Sequence, residues 1–179
     1  MPASGRKAVF LDRDGVINRM IFSRGKPRAP YKVEDLEYFP GVRKALSQLK
    51  SAGFYLVVVT NQPDVTRGWQ SLESVEAINR KVISELGIDA VRVCYHDTPD
   101  NCECRKPRPG LLLQAARELD LAVENSYMIG DRYSDIAAGR AAGCTSILVG
   151  GGASGELKKP LPDAEVLNLS EAAGWILSR

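Results

Sequence analysis

Short solid blocks of apolar residues alternate along this chain with segments whose apolar residues recur every three or four positions. "AVFL" (8–11) is an unbroken block, the pattern of a strand buried on both faces. "GVRKALSQLKSAG" (41–53) puts Val42, Ala45, Leu46 and Leu49 on one helical face, with Gly53 placed to close it. "FYLVVVT" (54–60), rich in β-branched and aromatic residues, reads as a second buried strand. "SLESVEAINRKVISELG" (71–87) is a helix with Ser71 as N-cap and Val75, Ile78, Val82 and Leu86 on one side. "AVRVC" (90–94) is a third strand, and "PGLLLQAARELD" (109–120) a helix with Pro109 at its first turn. "SYMIG" (126–130), "SDIAAGRAAG" (134–143) and "TSILVG" (145–150) give strand, helix, strand. "GGGASGELKKPLP" (150–162) reads as a loop, and a short helix covers 170–178.

This alternation predicts an α/β fold: a doubly wound, mainly parallel sheet with helices on both faces. The expectation is a single domain over residues 1–179, with no insert long enough for a separate cap domain. In such sheets the ligand crevice lies beyond the carboxyl ends of the strands. Residues that carry chemistry should therefore sit directly after strands.

They do. Asp12 and Asp14 follow the first strand, Thr60, Asn61 and Gln62 end the second, and Asp131 follows "SYMIG". Lys106 follows a cysteine-rich loop after the third strand. Three carboxylates, a hydroxyl and an ammonium at one sheet edge suit phosphoryl transfer. Carboxylates from different strands hold Mg²⁺, which binds a phosphate oxygen. The metal, Lys106 and Thr60 neutralise charge on the phosphoryl oxygens. Asp12 is the expected nucleophile, forming an aspartyl phosphate. Asp14, two residues on and pointing roughly the same way, is the expected acid and base, protonated while Asp12 stays ionised on the metal. Gly15 permits a sharp turn after the pair. Asp135 reads either as a support for Lys106 or a metal-bound water, or as a carboxylate at a helix N-terminus.

Composition narrows the partners. Hydrophobic residues are 44% and charged residues 26%, ordinary for a globular protein, and the net charge is +2. That balance gives no reason to expect a nucleic acid or a membrane surface as partner. No apolar run approaches the length of a membrane span, and "MPASGRK" leads into too short an apolar stretch for a signal peptide. The expected location is the cytoplasm, and the expected partner a small phosphorylated substrate. Nothing in the pattern separates an interface stripe from core, so it does not fix the oligomeric state; a monomer is compatible with it.

Cytoplasmic thiols stay reduced, so the cysteines are read first as ligands or core residues. Cys94, His96, Cys102 and Cys104 form C-x-H and C-x-C pairs separated by five residues, and His96 is the only histidine. The spacing closes a tetrahedral Cys₃His zinc site, with a metal-free reduced loop or a disulfide as alternatives. A structural Zn²⁺ would clamp this loop, 94–107, and hold Arg105 and Lys106 toward the phosphate. Cys144 reads as a small core residue.

The order of "DRDG" (12–15), Thr60, Lys106 and "GDRYSD" (130–135) resembles the haloacid-dehalogenase-like phosphohydrolase superfamily. "DRDGVIN", "TNQ", the "C-x-H…C-x-C-R-K-P-x-P-G" loop and "GDR" are similar to the branch of heptose-1,7-bisphosphate 7-phosphatases and histidinol-phosphate phosphatases. The resemblance implies Mg²⁺ on Asp12, on the backbone carbonyl of Asp14 and on Asp131. It implies that Arg105 contributes to substrate recognition, that Lys106 stabilises the phosphoryl group, and that Asn61, Gln62 and Arg132 line the substrate site. Two segments depart from the heptose pattern where the leaving group is expected: residues 19–41 after Asn18, and "PDVTRGW" after Gln62. Arg24, Lys26, Arg28 and Arg67 lie there, as candidates for a distal phosphate or as solvated surface charges.

Two other classes fit less well. A signalling receiver domain needs an acceptor aspartate on a middle strand, where this chain has Thr60 and Cys94. A zinc-organised nucleic-acid module needs a basic face with stacking aromatics, whereas aromatics are 7% here and the charge is balanced.

Overall fold

The structure, a computed structural model, describes residues 5–23, 25–152 and 159–179. The chain runs β1 (Ala8–Leu11), a hairpin of β2 (Ile21–Ser23) and β3 (Lys26–Arg28), α1 (Val42–Ser51), β4 (Tyr55–Asn61), α2 (Leu72–Leu86) and β5 (Ala90–Cys94). It continues with α3 (Gly110–Leu119), β6 (Tyr127–Gly130), α4 (Tyr133–Ala142), β7 (Thr145–Val149), β8 (Ala164–Val166) and α5 (Leu169–Leu177). Six strands form one sheet in the order β5-β4-β1-β6-β7-β8. Every neighbouring pair is parallel.

The sheet sorts its side chains by the two-residue period of a strand. Val9 and Leu11 of β1 pack with Leu46, Ile78 and Ala172 from α1, α2 and α5. Ala8 and Phe10 pack on the opposite face with Leu112 and Ala138 from α3 and α4. Both faces are covered, which is why β1 and β4 read as continuous apolar runs. Truncating the fully buried Phe10 would cost about 3–5 kcal/mol. Helix ends follow their local chemistry. Ser71 Oγ accepts from Ser74 N–H at 3.2 Å to start α2, and Gly87, at φ +66°, ends it.

The strand order places the site. From β1 the chain moves outward through β4 to β5, then returns to the other side of β1 for β6, β7 and β8. The direction reverses at β1, which opens a crevice beyond its carboxyl end, flanked by the ends of β4 and β6. Between β1 and α1 the chain inserts only the β2–β3 hairpin and a short 3₁₀ turn, Val33–Asp35, among the described residues.

The predicted elements lie within about two residues of the observed ones, the usual uncertainty of element ends. The hairpin at 21–28 and the strand β8 are additions. Each of these strands has three residues, mostly exposed or half-buried, too short to display a period. β8 falls just after the expected loop 150–162, part of which lies outside the described residues, as do Arg24 and the first four residues. No described helix is long and apolar enough to cross a membrane.

Candidate active site

Four strand ends converge on one cleft of about 1330 Å³, lined among others by Asp12, Thr60, Lys106 and Arg132. At the end of β1, Asp12 N–H donates to Ile129 O at 2.9 Å, tying the first carboxylate to β6. Gly15, at φ +93°, follows; a Cβ there would lie 2.2 Å from Asp131 Oδ2. Glycine is thus needed both for the turn and for the close approach of the two acidic loops.

Lys106 is the centre of charge. Its ammonium, buried with the rest of the side chain, lies 2.8 Å from Asp12 Oδ1, 2.7 Å from Asp135 Oδ1 and 2.8 Å from Val59 O. Burial opposes its charge, but Asp12 and Asp135 outweigh burial and push the Lys106 pKa up. Both readings of Asp135 hold: its Oδ1 pairs with Lys106, and its Oδ2 accepts from Arg132 N–H at 3.1 Å at the start of α4. Asn61 fixes the loop from below: its Nδ2 donates to Lys106 O at 3.1 Å, and its Oδ1 accepts from Lys106 N–H at 3.2 Å.

Carboxylate oxygens of Asp12, Asp131 and Asp135 lie within 4.8 Å of one another. One ammonium does not neutralise three carboxylates. Burial, then Asp135 and Asp14 acting against Lys106, lifts Asp12 to about 6. Burial, with Asp12 and Asp135, lifts Asp131 to about 8. Asp131 Oδ1 is buried and has no hydrogen-bond partner. Oxygen-only donors, surplus negative charge and an orphaned acceptor fit a small hard divalent cation.

Asp14 departs from expectation. Its carboxylate does not join this group but sits in a separate nest of donors. Arg13 Nε and Nη2 donate to it at 3.2 and 3.1 Å, Asn18 Nδ2 at 2.9 Å and Gln62 Nε2 at 2.7 Å. Arg13 is fully buried, and its Nη1 is anchored on Asn79 Oδ1 of α2 at 2.7 Å. Burial raises the Asp14 pKa, but Arg13 and these hydrogen bonds win and lower it. In the absence of a divalent cation the Asp14 carboxyl is thus held lower and the Asp12 carboxyl higher than usual. The physical cause is the residue between them, whose guanidinium folds back onto Asp14. Sequence reasoning passed over Arg13, Asn18 and Asn79. An arginine inside an otherwise buried turn, with no exposed position to occupy, was the available signal.

Gln62 and Thr60 belong to this nest. Gln62 Nε2 also reaches Thr60 Oγ1 at 2.9 Å, and both residues are buried. Asn61 and Gln62, expected among the substrate contacts, line the cleft but spend their amide groups on Lys106, Asp14 and Thr60. Arg132, Lys26, Arg28 and Arg67 also line it.

Cys94, His96, Cys102 and Cys104 come together in the loop after β5, with ligand atoms within 4.8 Å of one another. The cysteines are free, with sulfurs 3.1–3.6 Å apart, and His96 Nδ1 lies 3.3 Å from Cys104 Sγ. These separations approach the edges of a tetrahedron around zinc and exceed a disulfide bond. Burial pushes the Cys94 and Cys104 thiols up, whereas hydrogen bonds from Cys104 and the Arg105 N–H, acting against burial, bring the Cys102 thiol down to about 7. The donor set fits zinc. Cys144, two residues after the end of α4, is a buried free cysteine and is not part of this group.

A doubly wound sheet, with acidic groups and a buried lysine at its switch point, defines an enzyme of phosphoryl transfer. A family model described as HAD-hydrolase-like matches residues 103–172. The D-glycero-beta-D-manno-heptose-1,7-bisphosphate 7-phosphatase of Helicobacter pylori is 38% identical over 176 residues, 95% of this chain and 97% of that protein. The chain belongs to this family of HAD-like phosphatases. A D-glycero-alpha-D-manno-heptose-1,7-bisphosphate 7-phosphatase of Mycobacterium tuberculosis is 39% identical over 158 residues, 82% of this chain and 81% of that protein. Among solved structures, the D,D-heptose 1.7-bisphosphate phosphatase of B. bronchiseptica, complexed with magnesium and phosphate, superposes with a TM-score of 0.82 at 30% identity. That match covers 96% of this chain and 98% of the other.

Proposed function

We propose that this phosphatase removes the 7-phosphate of a D-glycero-D-manno-heptose 1,7-bisphosphate through an aspartyl phosphate on Asp12, as one domain spanning residues 1–179. The activity named for the relatives supports the substrate, and their coverage of nearly the whole chain supports the domain. The observation that carries the chemistry is the Lys106 ammonium set between Asp12 and Asp135, beside the orphaned oxygen of Asp131.

Asp12, Asp131 and the backbone carbonyl of Asp14 would hold Mg²⁺, which would supply positive charge at the phosphoryl oxygens and favour the ionised form of Asp12. An Asp12 carboxylate oxygen forms the bond to phosphorus as the bond to the sugar oxygen breaks. The leaving oxygen takes a proton from Asp14, which must first acquire it and move off the Arg13 fork. Water then attacks the aspartyl phosphate, giving its proton to Asp14 and releasing phosphate and the Asp12 carboxylate. Lys106 holds Asp12 in line and stabilises charge on the transferring group, with Thr60 donating a hydrogen bond. Arg105 and Arg132 bind the remainder of the substrate, and Asn61 and Gln62 keep Lys106, Asp14 and Thr60 in register. Cys94, His96, Cys102 and Cys104 would hold Zn²⁺, which would fix the loop that delivers Arg105 and Lys106. With all four ligands from the protein its role would be structural.

The test is a substrate panel with Mg²⁺ present: both anomers of the heptose bisphosphate, histidinol phosphate and simple sugar phosphates. The reading predicts the highest kcat/KM on one heptose bisphosphate anomer. A clear preference for histidinol phosphate would replace the substrate while leaving the site chemistry in place.

A further inference from the structure

The cleft carries a second chain of polar contacts beside the Asp14 nest. Tyr31, from the segment after the hairpin, donates its hydroxyl to Asp64 Oδ2 at 2.7 Å. Arg67 Nη1 donates to Asp64 Oδ1 at 3.1 Å. The other two nitrogens of Arg67, Nε and Nη2, grip the two oxygens of Asp97 at 2.7 Å each. Arg105 Nη2 stands 3.9 Å from Asp97 Oδ1, the oxygen that Arg67 Nη2 already holds. Asp97 thus faces two guanidinium groups and is bidentate with one of them. Arg105 Nη1 also donates to His96 O at 3.2 Å, which leaves its other N–H groups available. All four of these charged residues line the cleft.

We propose that Arg67 is a positioning residue that occupies Asp97 and so leaves the Arg105 guanidinium free for the anionic substrate. The inference rests on the assignment of Arg105 as a substrate contact. All three nitrogens of Arg67 are engaged on carboxylates, so it has little left to offer a phosphate. A fork-to-fork pair with both distances at 2.7 Å is a strong, geometrically specific contact. Without it, Asp97 presents an uncompensated charge at the cleft mouth. A small rotation then closes the 3.9 Å gap and turns Arg105 inward onto Asp97. Arg67 lies in "PDVTRGW", one of the two segments that set this chain apart from the heptose pattern.

The experiment compares R67A, R105A and R67A/D97N in Mg²⁺-loaded enzyme, on whichever ester of the panel the parent hydrolyses best. Asn at position 97 keeps an oxygen for the Thr98 N–H that Asp97 accepts at 2.7 Å, so the turn survives. The expected result is a KM on the order of ten-fold higher in R67A and in R105A, with kcat little changed. Adding D97N to R67A recovers most of that loss, because no carboxylate remains to capture Arg105. R67Q replaces R67A if the alanine variant does not fold, with the same expectation. If D97N fails to restore R67A, Arg67 binds substrate itself and the proposal is overturned. An unchanged KM in R67A overturns it as well. An unchanged KM in R105A removes the Arg105 assignment, and the inference falls with it.

Discussion

Lys106 Nζ lies 2.8 Å from Asp12 Oδ1, across 94 residues of chain, and the same ammonium reaches Asp135 at 2.7 Å. Lys106→Met keeps the length of the side chain and deletes its charge. It leaves two buried carboxylates facing each other without compensation, a loss of about 3–5 kcal/mol for a broken buried pair. Denaturant unfolding of the Mg²⁺-free protein should show a loss of that order. Activity with saturating Mg²⁺ should fall far more than binding, since Lys106 acts on the transferring group. Equal stability of the two proteins would mean that the pair is not the keystone of the cleft.

Asp14→Asn should lower kcat by about 10²–10⁴-fold, because both steps lose their proton carrier. Asn keeps one acceptor oxygen, enough for Asn18 or for Gln62 but not for both, so the nest survives in part. Rapid-quench kinetics should show phosphoenzyme breakdown slowed along with its formation. A variant slowed only in formation would give Asp14 the acid role alone.

The acidic group near Asp131 predicts a pH-dependent stability. Burial, with Asp12 and Asp135, raises Asp131 from 3.8 to about 8. A carboxyl whose folded pKa lies above its unfolded value binds its proton more tightly when folded. It therefore costs nothing at low pH, and the cost grows as pH rises from about 4 to about 8. Without divalent cations, Asp131→Asn should melt several degrees above the parent at pH 8, with the gap closing toward pH 4. Mg²⁺ should narrow or reverse the gap at pH 8 by stabilising only the intact site. Thermal unfolding in chelator and in Mg²⁺ measures both. A gap that does not change with pH would contradict the charge argument.

Much of this was legible in the sequence because chemistry and topology coincide at strand ends. A strand that is apolar through Leu11 and then acidic at Asp12 states both its burial and its terminus. Lys106 and Asp131 could be placed in the same way, and the Cys/His spacing identified its own cluster. The relation of Asp14 to Asp12 was not legible. Alternation along an extended strand gave the direction of both side chains, but a turn begins at Arg13, and its buried guanidinium decides where the second carboxylate goes. Gln62 and Asn61 were readable as residues of the cleft. Their partners Lys106 and Asp14 are long-range and had no signature in the chain. The hairpin at 21–28 escaped because three-residue strands show no period.

The Cys94–His96–Cys102–Cys104 cluster predicts about one zinc per chain by elemental analysis. Stripping it, or replacing Cys104 with Ser, should loosen the segment that carries Arg105 and Lys106. A misplacement of 1 Å in such groups costs about 10²-fold in rate, so kcat/KM should fall by that order with Mg²⁺ still present. Full activity in a zinc-free preparation would separate the cluster from the reaction.

The central claim is that Asp12 becomes phosphorylated. It is tested by acid-quenching the Asp14→Asn protein during turnover with Mg²⁺ and substrate, then mapping peptides by mass spectrometry. The account predicts a phosphoryl group on Asp12, lost on treatment that cleaves acyl phosphates and absent when Asp12→Asn is added. Phosphate released during turnover while Asp12 stays unmodified, or a phosphoryl group found on another residue, would contradict it.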